Sequence, residues 1–126
     1  MEIRTKVING NKWQFVNESW STSNAWGHKT NVFKNGLEIE EHKSRYYNRT
    51  WESYTFQSCM FGAISEIEYK EKMKFVDNYK YENNIDRFKK GQKDEVLAMF
   101  EETEIAKELN ELRKVVENRD FDQELI

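Results

Sequence analysis

Residues 2–20, EIRTKVINGNKWQFVNESW, predict a β-hairpin. Residues 2–8 alternate in part between apolar and polar side chains, which favours a strand with one buried face. Asn9 and Gly10 form the dipeptide most typical of a two-residue hairpin turn, because both tolerate a positive φ. Residues 13–20 alternate again and are the predicted partner strand.

The same pattern of strand, turn and strand continues along the chain. Residues 21–27 are mostly polar and predict a loop, after which residues 28–34 predict a third strand. Asn35 and Gly36 repeat the tight-turn signal, and residues 37–47 predict a fourth strand. The first part of the chain is therefore predicted to be a four-stranded antiparallel meander.

The apolar spacing then changes from two residues to the period of a helix. We predict a long helix that is capped by Thr50 or begins one turn later, and that ends near residues 83–84. A glycine in a helix costs about 1 kcal/mol relative to alanine, so Gly62 predicts close packing against the sheet. The apolar positions that carry this prediction are Phe56, Met60, Ala63, Ile64 and Ile67.

The last part of the chain predicts one C-terminal helix that follows a short helical turn at residues 85–88. Asp94 is the expected N-cap, and residues 119–126 are expected to be a fraying polar tail. The helix carries an apolar seam that could pack on the sheet or on a twin helix, formed by Ile105, Leu109, Leu112 and Val116. The prediction is an α+β fold in a single domain, residues 1–126, with the sheet at about 1–48 and the helices at about 52–118.

Charge and cysteine content narrow the classes of function. The net charge of −3 argues against broad, charge-driven binding to nucleic acid, but it permits one small anion held by a few local arginines. Cys59 is the only cysteine, so neither an intramolecular disulfide nor a thiolate metal cluster is expected. Residues 1–11 do not resemble a signal peptide and no apolar run suits a membrane span, which favours a reducing cytoplasm.

Residues 45–52, RYYNRTWE, concentrate rings, guanidinium groups, an amide and a hydroxyl at the point where the strand pattern gives way to the helix pattern. Rings stack on bases and guanidinium groups grip phosphate oxygens in pairs, so the segment has the chemistry of a nucleotide pocket. A purely structural role is the other interpretation, with the rings in the core and the arginines paired to a carboxylate such as Glu52.

Candidate chemistry elsewhere is sparse. His28 and His42 are the only histidines, and both are expected to be structural rather than ligands of a metal or partners of Cys59. Arg113 borders the apolar seam of the last helix, where it either extends along the surface or reaches a phosphate or a partner carboxylate. Trp26 is an aromatic residue in a polar stretch and is a candidate for stacking on a base.

The run of residues 46–52, followed by Tyr54, Phe56 and Gln57, resembles a motif of small bacteriophage proteins, the Thoeris anti-defence sponges of the first type. The resemblance implies binding without catalysis and without a cofactor. Such proteins capture the cyclic ADP-ribose isomer, glycocyclic ADP-ribose, that a host TIR-domain enzyme makes on infection. It also implies a homodimer or higher homo-oligomer in the host bacterial cytoplasm, with pockets between the sheet and helices of adjoining subunits.

The ligand of such a sponge defines roles for particular side chains. Guanidinium groups would hold the diphosphate, rings would stack on adenine, and amides or hydroxyls would bind the sugar and base edges. The candidates are Arg49 and Arg113 for phosphate, Trp51, Tyr47 and Trp26 for stacking, and Asn48, Thr50 and Asn110 for hydrogen bonds. The resemblance implies Asn48, Arg49 and Trp51 from the matched run and Arg113 from its position in the last helix, whereas Trp26 is selected by its chemistry alone.

Three other functions are compatible with the sequence. An acidic phage protein could inhibit a host defence or nucleic-acid enzyme by binding it directly. An enzyme that cleaves a cyclic nucleotide would need His28 or His42. A structural oligomer would use the aromatic motif only as core.

Overall fold

The computed structural model describes residues 1–44, the backbone of residues 46–47, and residues 55–123. The sheet elements are β1 (Glu2–Ile8), β2 (Asn11–Ser21), β3 (Ala25–Lys34), β4 (Leu37–Lys43) and β5 (Tyr46–Tyr47). The helices are α1 (Phe56–Glu82), α2 (Gln92–Phe100) and α3 (Glu104–Asn118). Strands β1 to β4 are antiparallel neighbours in chain order, so the predicted α+β fold with an N-terminal meander is confirmed.

Both predicted hairpin turns are present. Asn9 and Gly10 have φ values of 51° and 80°, and Asn35 and Gly36 have 53° and 82°. Two consecutive residues with positive φ match the twist of the flanking strands, which is why Asn-Gly is selected at such turns. The first turn fixes the register of β1 on β2. The second fixes that of β3 on β4 up to a shift between Val32 and Phe33.

The predicted loop at residues 21–27 is too long, because β3 already begins at Ala25. Thr22 closes the turn: its backbone N–H donates to the Ala25 carbonyl at 2.7 Å, and its hydroxyl accepts from the Ala25 N–H at 3.2 Å. The predicted fourth strand is also divided, since β4 ends at Lys43 and β5 pairs separately with β3. Here the Ser44 hydroxyl accepts from the His28 N–H at 3.0 Å, so a side chain replaces a backbone partner.

The long helix is confirmed, and it begins at the later of the two predicted positions. Thr55 is the N-cap, and its hydroxyl accepts from the Ser58 N–H at 3.3 Å. The alternative cap, Thr50, lies outside the described residues. Gly62 packs closely against the sheet as predicted, since a Cβ atom there would lie 2.4 Å from Nε2 of His42 on β4.

The prediction of one C-terminal helix is wrong, because α2 and α3 are separated at residues 101–103. Thr103 explains the break: its hydroxyl donates to the Phe100 carbonyl at 2.6 Å and accepts from the Ala106 N–H at 3.3 Å. The predicted N-cap is also wrong, since α2 starts at Gln92 after Gly91, which has a φ of 82°. Residues 85–88 are not helical.

The core lies between one face of the sheet and helices α1 and α3. Of the two predicted partners for the apolar seam of α3, the sheet or a twin helix, the seam packs into the core beneath the sheet. The buried members of this core cluster are Ile8, Trp13, Phe15, Val32, Met60, Ala63, Ile64, Ile67, Leu109, Leu112 and Val116. Within the described part of the chain, none of the helices has the length and apolar character needed to cross a membrane.

Candidate functional site

An open cleft of about 740 Å³ lies between β1, the first turn of α1 and the segment that follows α3. Its apolar lining comes from Phe56 and Met60 on α1, Val116 on α3 and Phe121 beyond it. This volume lies within the range of about 300–1,000 Å³ that is typical of small-molecule sites. The polar side chains at its rim are Glu2, Arg4, Thr55, Gln57, Arg119, Asp122 and Gln123.

The segment after α3 forms a fixed wall of the cleft, in contrast to the fraying tail predicted for residues 119–126. The Asp122 N–H donates to the Thr5 carbonyl at 2.8 Å, and the Asp122 carboxylate accepts from the Val7 N–H at 2.9 Å. Lys6 lies 3.4 Å from this carboxylate, and Phe121 packs edge-on against the buried ring of Phe15. The described part of the tail, up to residue 123, is therefore bound to β1.

Most charged groups of the cleft are already engaged within the chain. The Glu2 carboxylate accepts from Nε of Arg4 at 3.0 Å and from the Asn17 amide at 3.2 Å. The Asp122 carboxylate pairs with Lys6 at 3.4 Å, an ammonium that it shares with Asp120 at 3.5 Å. Arg119, in contrast, has no hydrogen-bond or ion-pair partner for its guanidinium among residues 1–44 and 55–123. Among the described residues that line the cleft, the uncommitted positive charge is therefore that of Arg119.

A row of aromatic rings adjoins the cleft. The ring centroids of Trp26 and His28 on β3 lie 5.9 Å apart, and those of His28 and Phe56 lie 4.8 Å apart, both edge to face. Phe56 belongs to this row and also lines the cleft. Trp26 is half-buried in a strand rather than in the predicted loop, and its backbone pairs with Tyr46 of β5. The backbone of Tyr47 pairs with Ala25, so two of the predicted stacking residues share this end of the sheet.

Two other predicted residues, Asn110 and Arg113, meet on α3 away from this end of the sheet. Arg113 donates to the Glu68 carboxylate at 2.6 Å and to the Asn110 side-chain oxygen at 3.0 Å. Glu68 lies on α1, twelve residues after Phe56, which corresponds to about 18 Å along a helix. Within one chain, Asn110 and Arg113 are therefore together but do not join Trp26.

The ion pair of Arg113 also alters the titration of its partner. Burial disfavours the charged form of Glu68, but hydrogen bonds and charge attraction from Arg113 and Lys72 outweigh this effect, so the Glu68 pKa lies below its ordinary value. Arg113 was expected either to extend along the surface or to reach a ligand phosphate or a carboxylate of a partner. In the structure, its guanidinium contacts a carboxylate of its own chain.

The remaining predicted site residues, Asn48, Arg49, Thr50 and Trp51, lie outside the described residues. Sequence reasoning ranks Arg119 below Arg113 and leaves it out of the predicted site, because it lies at the start of the tail that was expected to fray. Phe121 was the available signal, since a large apolar residue between two aspartates is unusual in a solvated tail and indicates an attachment to the core.

The candidate nucleophile and bases, Cys59, His28 and His42, are buried or half-buried. Cys59 is buried, its thiol donates to the His42 carbonyl at 3.5 Å, and burial raises its pKa. The His42 ring bonds to the Glu66 carboxylate at 2.9 Å, and burial lowers the pKa of His28. No cluster of three or more potential metal ligands occurs among the described side chains.

Comparison with known proteins finds no matching family model, no similar curated protein and no similar solved structure. The inference of function therefore rests on the cleft and on the sequence motif of residues 46–52, which precedes α1.

Proposed function

We propose that this protein is a non-catalytic sponge that binds a cyclic ADP-ribose isomer, such as glycocyclic ADP-ribose, and withholds it from a host Thoeris defence. The observation that carries the proposal is the cleft of about 740 Å³ at the first turn of α1. A second support is the resemblance of residues 46–52 to the phage sponges. Trp51 of that motif lies only four residues before Thr55, which lines the cleft.

The chemistry of the cleft suits such a ligand. Phe56, Met60 and Phe121 provide an apolar surface against which an adenine ring can pack. Arg119 provides a guanidinium that can bind a phosphate through two parallel hydrogen bonds. The lining thus combines an apolar area with a few polar groups, as sites for nucleotide-sized ligands commonly do.

A trap needs affinity rather than turnover. A nanomolar dissociation constant corresponds to about 12 kcal/mol of binding free energy, and a preorganised site reaches such values by reducing the ordering cost of binding. The wall formed by residues 120–122 is bound to β1 before any ligand arrives, which is preorganisation of this kind. The proposed setting is the cytoplasm of an infected bacterium, and the proposed working form is a homo-oligomer.

Capture and release test the proposal. The purified chain is incubated with the products of an activated TIR-domain enzyme, separated from unbound small molecules and then denatured. We expect release of an intact cyclic ADP-ribose isomer, in an amount stoichiometric with the chain. A linear product would instead indicate an enzyme. No released nucleotide, together with no shift in melting temperature, would contradict the sponge and favour an inhibitor that binds a host protein.

Two phenylalanines of α1 provide a matched pair of variants. Phe56 lines the cleft, whereas Phe75 is also half-buried on α1 but packs against Phe100 on α2, with ring centroids 5.8 Å apart. Phe56→Ala should reduce capture, and Phe75→Ala should lower stability without reducing capture by the folded fraction. Equal loss of capture in both variants would show that stability, rather than the cleft, controls binding.

A further inference from the structure

We infer that Arg119 holds the diphosphate of a nucleotide in the cleft, an assignment that rests on the proposed function and specifies its anion-binding residue. Neither the motif at residues 45–52 nor the seam of α3 points to this residue. The inference comes from the charges, the backbone and the apolar lining of the cleft.

The first step is the balance of charge. Arg4 and Glu2 compensate each other at 3.0 Å. The carboxylate of Asp122 is compensated in part by Lys6 at 3.4 Å, because the same ammonium also lies 3.5 Å from the Asp120 carboxylate. Arg119 thereby contributes the uncompensated charge among the described residues of the lining. Because Glu2 and Asp122 are already occupied by donors, they repel an incoming anion less than free carboxylates would.

The second step is the conformation of Arg119 itself. It is the C-cap of α3 and adopts the left-handed region, with φ 54° and ψ 37°. Helix C-caps of this kind favour glycine or asparagine, because other side chains are strained there. Its backbone N–H bonds back to α3, and the Asp120 N–H donates to the Val115 carbonyl at 2.9 Å. The backbone that carries the guanidinium is thus fixed on both sides.

The third step is the identity of the ligand. The Gln57 amide is committed to the Val116 carbonyl at 2.9 Å, and the Thr55 hydroxyl caps α1. These groups offer little to a polyhydroxylated ligand without a charge. A guanidinium beside the rings of Phe56 and Phe121 matches a planar base joined to a phosphate, because the fork of N–H donors fits phosphate oxygens.

Binding of adenosine, ADP-ribose and cyclic ADP-ribose by isothermal titration calorimetry tests the assignment. Arg119→Asn is the informative variant, because asparagine tolerates the left-handed conformation and keeps the cap. Arg87→Asn is the matched control, since Arg87 is exposed in the connection between α1 and α2. Arg119→Asn should weaken ADP-ribose binding about 10- to 100-fold, the effect of losing a charge-assisted contact. Adenosine binding should stay within about twofold, and Arg87→Asn should match the wild type.

The outcomes separate the assignment from the proposed function. Unchanged ADP-ribose binding by Arg119→Asn, or an equal loss for adenosine, would overturn the assignment even if the wild type retains the cyclic isomer. The wild type could bind ADP-ribose through Arg119 and yet fail to retain the cyclic isomer. This result would support the assignment and contradict the sponge. If the wild type neither binds any of the three compounds nor retains the cyclic isomer, both proposals are overturned. Melting temperatures of the unliganded variants verify that they are folded.

Discussion

Replacement of Gly62 by alanine tests whether α1 packs on β4 as described. Alanine gains about 1 kcal/mol of helix propensity over glycine. Its Cβ atom, however, would lie 2.4 Å from Nε2 of His42 and 2.8 Å from two ring carbons. The ring cannot move away freely, because Nδ1 is bonded to Glu66 at 2.9 Å. Overpacking of this kind costs about 1–3 kcal/mol, so Gly62→Ala should be neutral or destabilising by up to about 2 kcal/mol.

A double-mutant cycle with His42→Ala makes the prediction specific. Once the imidazole is absent, the added methyl group meets no ring, and Gly62→Ala should become stabilising by up to about 1 kcal/mol. Urea unfolding followed by tryptophan fluorescence provides the free energies of unfolding for all four proteins. Stabilisation by Gly62→Ala in the wild-type background, or the same effect in both backgrounds, would refute the described packing of His42 on Gly62.

Three further predictions concern buried polar groups. Glu108 is 3% exposed and accepts from the Trp13 indole at 2.7 Å, so Glu108→Ala should cost about 3 kcal/mol in urea unfolding and Glu108→Gln, which retains an acceptor, about 1 kcal/mol. The lowered pKa of Glu68 contributes stability that is complete above its ordinary value of 4.5 and is lost as the pH falls through the lowered folded-state value. The melting temperature of Arg113→Met should therefore fall less steeply below pH 4.5 than that of the wild type. An equally steep fall in both proteins would show that this ion pair does not cause the wild type's loss of stability in acid. Because Cys59 is buried and burial raises its pKa, a thiol reagent should label it quickly only in denaturant, and fast labelling of the native chain would show that the site opens.

Local chemistry made much of the fold predictable. The Asn-Gly turns need residues that tolerate positive φ, and Asn9 and Asn35 identify them without any tertiary information. Gly62 was equally informative, since a helix retains a costly residue only for a reason such as close packing. The apolar spacing of α1 predicted the residues that now face the sheet.

The missed features depend on competition between side chains and the backbone. Thr103 divides the predicted C-terminal helix because its hydroxyl bonds to groups on both sides of the break, although the apolar spacing runs through it. Ser44 ends β4 in a similar way by substituting for a backbone partner of His28. The bonds of Thr103 are local ones of a helix N-cap, which apolar periodicity does not reveal. Those of Ser44 reach His28 on another strand and depend on tertiary structure.

The site was predictable only in part, because it is assembled from distant segments. The backbones of Trp26 and Tyr47, 21 residues apart in the sequence, become neighbours through the pairing of β3 with β5, in which Trp26 itself pairs with Tyr46. Arg119 enters the cleft because Asp122 bonds to β1, more than a hundred residues away. Arg113, the arginine that the helix pattern favoured, contacts Glu68 instead.

A crystal structure of the chain with cyclic ADP-ribose is the most direct measurement of what the cleft holds. We predict an intact cyclic ligand, with its base against Phe56 or Phe121 and a phosphate oxygen within about 3 Å of Arg119, the distance of a charge-assisted hydrogen bond. A cleft without ligand in crystals grown at saturating nucleotide, or a nucleotide bound elsewhere on the chain, would contradict this account.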